Sequence, residues 1–93
     1  MPNPKRPADA GSSPIMKVER VQTGVRIEKR VLKVLKAVAE YNDITLGDLL
    51  EGVVLHAFQG ECAFGPDSLV RIAEFKAIYG LDLDASASHR MTE

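Results

Sequence analysis

The stretch Val21-Gln22-Thr23-Gly24-Val25-Arg26-Ile27 decides how this chain is read. Val21, Thr23, Val25 and Ile27 alternate with Gln22, Gly24 and Arg26, and Arg20 extends the polar set by one step. Alternation with a period of two sends one set of side chains to each face of a pleated backbone, so the pattern predicts a half-exposed β-strand. No other segment is as convincing a strand. A lone strand leaves backbone N–H and C=O groups unpaired along both edges. With no second strand nearby to make a hairpin, the expected partner is the same strand of a second copy. The result would be a two-fold antiparallel ribbon, apolar on one face and polar on the other.

C-terminal to this stretch the period changes to that of a helix. From Glu28 to about Tyr41, Val31, Leu32, Val34, Leu35, Val38 and Ala39 fall on one broad face, and Lys29, Arg30, Lys33 and Lys36 fall opposite. Glu28 stands where a helix dipole favours an acid. Asn42-Asp43 follows, and both residue types tolerate the left-handed backbone of a tight turn. Thr45 then has the chemistry of an N-cap, with Asp48 three residues on as a shortened capping box. A second helix is expected over about Leu46 to Phe58, with Leu46, Leu49, Leu50, Val53, Val54 and Ala57 inward and Leu55 and Phe58 needing another surface.

A loop over 59–65 leads to a third expected helix, Pro66 to Tyr79, with Pro66 at its first position, Asp67 in its first turn and Gly80 as its C-terminal cap. Leu69, Val70, Ile72, Phe75, Ile78 and Tyr79 wrap most of the cylinder, so this helix is expected to be buried on more than one side, against Leu55 and Phe58 or across a dimer. Residues 81–93 turn polar and are expected to be poorly ordered or to order on a partner. Residues 1–14 hold four of the five prolines and read as a disordered arm, in which Lys5 and Arg6 could touch a phosphate but are expected to be only solvated.

Composition narrows the functional classes. A chain of 93 residues suits one domain but buries little apolar surface alone, so it needs a staple. Cys62 is the single cysteine, which excludes an intrachain disulfide and a cysteine-based metal cluster and fits a reducing cytoplasm. Met1 to Ser13 lack the apolar core of a secretory signal, and no apolar run approaches the ~20 residues of a membrane span. A partner subunit is the remaining staple. The net charge of −1 conceals a polarised chain: residues 1–36 carry nine bases against three acids, a balance of +6, and residues 37–93 carry three bases against ten acids, a balance of −7. Basic clusters attract phosphate backbones through counterion release.

The order of elements, with VQTGVRI, then EKRVLKVLKAVAEY, then NDITLGDLLEGVVLHAF, resembles the ribbon-helix-helix family of DNA-binding repressors of the Arc/MetJ type over residues 19–59. The fold that this resemblance implies is mainly α with one short strand, a ribbon-helix-helix dimer carrying an additional C-terminal helix. The chain then divides into an arm (1–17), a dimerisation and DNA-binding region (18–59), a loop with the third helix (60–80) and a polar tail (81–93). The resemblance implies a homodimer, possibly of higher order on DNA, whose ribbon enters the major groove of double-stranded DNA.

Mapped onto this sequence, the base-contacting positions are Arg20, Gln22, Gly24 and Arg26. Outward residues of a strand lie ~6.6–7 Å apart, about two base-pair steps. An arginine at 26 can pair bidentately with guanine, and a glutamine at 22 with adenine. Gly24 departs from the family, because it has no side chain with which to read a base. The family's phosphate clasp, the free amides at the start of the second helix, maps to Thr45, Leu46 and Gly47. Lys29 and Arg30, nearest the ribbon, are expected to touch flanking phosphates. Capping alone would also explain Thr45, and Asp48 places an acid close to the clasp.

Catalytic readings find no support. His56 and His89 share no metal-ligand spacing, Cys62 has no activating neighbour, and no phosphate-binding glycine loop or nucleophile elbow is present. The expectation is a non-enzymatic, cofactor-free transcriptional regulator. Two other readings keep the same dimer: an antitoxin-like protein whose acidic residues 61–93 wrap a basic toxin, and a partition or protein-interaction module.

Overall fold

A computed structural model describes residues 15–93. The expected arm therefore lies outside the described residues up to position 14, Lys5 and Arg6 included. The described chain runs as three helices, α1 (Lys29–Tyr41), α2 (Leu46–Phe58) and α3 (Pro66–Tyr79), followed by a single 3-10 turn, Ala85–Ala87.

The ribbon-helix-helix expectation is corrected here. No β-strand occurs among the described residues, and residues 15–28 have no regular secondary structure. No backbone hydrogen bond joins residues 15–27 to another described residue. Every side chain from Ile15 to Arg26 is exposed, with Val21 at 80% and Val25 at 74%. Alternation tells which side chains would share a face, but a strand exists only through the ladder that pairs it. Nothing among the described residues supplies that ladder, so a fold built on a β-ribbon does not describe them.

The helices obey local rules. At the start of α1, Glu28 Oε1 accepts from the Val31 N–H at 2.9 Å, so an acid serves as the N-cap. At its end the Asn42 Nδ2 donates to the Val38 carbonyl at 2.9 Å, and Asp43 takes the left-handed conformation at φ 58°. These two residues turn the chain so that Thr45 can cap α2, its Oγ1 accepting from the Asp48 N–H at 3.0 Å. Gly65 precedes Pro66 at the start of α3, and Gly80 closes it at φ 66°.

Among the described residues the buried hydrophobic core is small: Val34, Val38 and Ala39 of α1 with Leu49 of α2. Leu35, Ile44, Val53, Phe64, Ile72, Phe75 and Leu81 pack around it. α1 is the central element, its backbone close to those of both α2 and α3, whose own backbones do not approach one another. An edge-to-face pair, Tyr41 with Phe75 at 6.2 Å, ties α1 to α3, and the Arg71 guanidinium lies 4.9 Å from the Tyr41 ring.

Two further expectations are corrected. α3 docks on α1 rather than on Leu55 and Phe58, which stay 62% and 80% exposed. Residues 81–93 are folded back against the helices instead of forming a loose tail. Arg30 Nη1 reaches the Gly80 carbonyl at 3.1 Å and Asp82 at 2.9 Å, and Asp84 caps the 3-10 turn through the Ser86 N–H at 2.9 Å. Finally, Gly52 lies mid-helix in α2, and a Cβ built there would meet nothing within 4 Å.

Candidate nucleic-acid interface

The basic segment, residues 15–28, passes beside the start of α2. Glu19, Arg20, Val21 and Thr23 line one groove with Thr45, Gly47, Asp48 and Glu51. Two positions that sequence reasoning assigned separately, Arg20 of the basic segment and the Thr45–Gly47 clasp, are thus neighbours in space. Local chemistry explains the arrangement. Arg20 Nε and Nη2 donate to the two Glu51 carboxylate oxygens, each at 2.8 Å, which fixes the segment against the second turn of α2. The planar guanidinium matches a carboxylate bidentately, and a phosphate offers the same pair of acceptors. Hydrogen bonding to Arg20 lowers the Glu51 pKa, so that acid stays ionised beside the groove.

The α2 N-terminus lines this groove through Thr45, Gly47 and Asp48. A Cβ built on Gly47 would meet only Thr45 Oγ1, at 4.0 Å. Thr45 itself is engaged as a cap, and Leu46 is half-buried. Glu19, Asp48 and Glu51 share the groove with Arg20, its one base, so the acids outnumber the base there.

The remaining site residues divide. Gln22 is exposed, and around Gly24 there is open space. Arg26 is exposed and ion-paired with Glu93. Lys29 is exposed at the first turn of α1, with Lys33 and Lys36 following on that helix; Lys33 Nζ lies 5.9 Å from the Tyr79 ring. Arg30 is different. Its Nε donates to Glu28 at 3.0 Å while Nη1 holds Gly80 and Asp82, so it acts as a clamp between α1 and the C-terminal residues. Sequence reasoning missed the acids Glu51, Asp82 and Glu93 as partners of these arginines. Only the opposite charge of the two chain halves signalled that such pairs could form.

Compared with known proteins, the chain matches no family model, no curated protein and no solved structure. Among the described residues no group of three or more His, Cys, Asp or Glu could hold a metal ion. His56 Nδ1 lies 2.7 Å from the Gly52 carbonyl of its own helix, and the exposed Cys62 thiol contacts the Phe64 carbonyl. No helix of the described residues is long and apolar enough to cross a membrane.

Proposed function

We propose that this protein is a DNA-binding transcriptional regulator of the bacterial cytoplasm, acting as a homodimer that represses by occupying duplex DNA. The observation that carries this reading is the placement of Arg20 beside Thr45 and Gly47 at the start of α2, a guanidinium next to a helix N-terminus in a groove that Glu19, Asp48 and Glu51 also line. Two phosphate-binding chemistries meet there. Around it, Lys17, Gln22, Arg26 and Lys29 are all exposed and add charge and hydrogen-bonding capacity along one continuous stretch of chain. Binding does not need a paired ribbon: an unpaired basic segment can follow the phosphates and reach base edges as DNA-binding arms do.

The homodimer rests on the small core. Among the described residues four hydrophobic residues are buried, which is little for a domain of this size. The second half of α2 leaves Val54, Leu55 and Phe58 exposed on an element with few polar residues. A second copy covering that side supplies the missing burial, since an interface rich in aliphatic and aromatic side chains is what obligate dimers use. The antitoxin-like reading is less well supported, because α3 and residues 81–93 already pack on α1 of their own chain.

Fluorescence anisotropy with a mixed-sequence duplex at 50 mM salt tests the reading. Binding that weakens steeply with salt, and weakens further in Arg26→Ala, is the expected result. Absence of binding at low salt would overturn it.

A further inference from the structure

We propose that residues 81–93 form an intramolecular acidic strap that competes with DNA for the arginines of the basic region. The inference rests on the DNA-binding reading and adds a regulatory contact to it.

The strap is built, not incidental. Gly80, at φ 66°, turns the chain off α3, and Arg30 grips both its carbonyl and the Asp82 carboxylate. Leu81 packs against the core, and Leu83 and Met91 then line one cleft with Val31, Leu35 and Ile72. A second reversal follows. Asp84 accepts from the Ser86 N–H at 2.9 Å, Arg90 donates to the Ser86 carbonyl at 3.0 Å, and His89 takes φ 65°. The chain therefore returns to the basic segment, and Met91, Thr92 and Glu93 lie beside Arg26, Ile27 and Lys29. Glu93 ends on the Arg26 guanidinium.

The result places one strap carboxylate on Arg26 and another on Arg30. Both are acceptors of the kind a DNA phosphate offers. The side chains of Arg26, Glu93 and Asp82 are 84%, 78% and 81% exposed and that of Arg30 is 37% exposed, so water and salt screen the Arg26 pair most and a phosphate can displace it first. A duplex that engages several cations at once outcompetes single carboxylates, whereas an isolated anion does not. The strap thus raises the threshold for binding and leaves the bound state accessible.

The test measures duplex affinity at 50 mM salt for wild type, the double variant Asp82→Asn/Glu93→Gln, and a charge-matched control, Glu61→Gln/Asp67→Asn, whose acids lie outside the strap. Exposed pairs of this kind correspond to about two- to ten-fold in affinity when two are removed together. The expected result is that gain in the double variant, none in the control, and convergence of all three at 300 mM salt. Hydrogen exchange of the Ala87, Ser88 and Arg90 amides, whose N–H groups bond within the strap, reports in the absence of DNA whether the strap is folded. Equal affinities with a protected strap would overturn the competition while leaving DNA binding intact. An equal gain in the control would assign the effect to net charge and overturn it as well. Unprotected strap amides in the wild type would also overturn it. No binding by any form, with the strap protected, would remove the DNA reading and the inference together.

Discussion

Arg20 and Glu51 face each other through two parallel 2.8 Å hydrogen bonds across a separation of 31 residues, joining the basic segment to α2 where no backbone hydrogen bond does so. The pair is more than two-fifths exposed on both sides, so it orients the segment without contributing much to stability. Its value lies in where it holds the guanidinium.

Replacement of Arg20 by alanine is expected to weaken duplex binding about three- to ten-fold at 50 mM salt and to reduce the salt slope by about one. Glu51→Gln frees the guanidinium and is expected to leave the slope unchanged or steeper. Anisotropy titrations from 50 to 200 mM salt check both. A slope unaltered in Arg20→Ala would show that this side chain meets no phosphate.

Thr45 separates capping from anion binding. Thr45→Ala removes the acceptor of the Asp48 N–H and is expected to cost about 1 kcal/mol, a fall of about 4–8 °C in the thermal midpoint. Thr45→Ser restores the hydroxyl and is expected to recover most of that loss. Calorimetry on the three proteins checks the order.

Leu55 and Phe58 report on self-association. Both are exposed within the chain, so Leu55→Glu and Phe58→Glu leave intrachain packing largely intact. Sedimentation equilibrium is expected to show a dimer for the wild type and a shift toward monomer in either variant. Two unchanged dimers would place the interface elsewhere.

Acid is expected to destabilise the fold in a defined direction. The Val31 N–H, followed by Arg30, lowers the Glu28 pKa from its ordinary value of 4.5. Arg20 lowers that of Glu51, and Ser86 lowers that of Asp84 from 3.8. A carboxylate whose folded pKa is depressed stabilises the fold above its unfolded pKa, and that contribution is lost as pH falls through the folded value. The thermal midpoint is therefore flat near neutrality with respect to these groups and declines below about pH 4.5. Glu28→Gln is expected to shallow that decline. Thermal melts from pH 7 to pH 3 check the sign.

The helical spans were legible because their signals are local. Thr45 with the leucines behind it, Pro66 at the start of α3 and Gly80 at its end mark boundaries that coincide with those observed. Glu28, read as a first-turn acid, is the N-cap instead, a shift of one position. The failure came at Val21–Ile27. Alternation describes a side-chain pattern, whereas a strand is a pairing, and pairing depends on residues far away or absent. The candidate site was legible in kind but not in detail. Arg20 and Gly47 could be named from the sequence, yet their adjacency depends on Glu51. The return of Glu93 to Arg26 depends on left-handed turns at Gly80 and His89, and no local rule marks the second of these.

Gly52 carries a consequence of its own. A glycine inside a helix sacrifices about 1 kcal/mol relative to alanine, and among the described residues no atom crowds the spot to demand it. The bare notch instead lies one turn before Leu55 and His56, where a neighbouring backbone could nestle. Gly52→Ala is therefore expected to toughen the isolated chain against heat while loosening its association with a twin, two effects that melts at low and high concentration would pull apart.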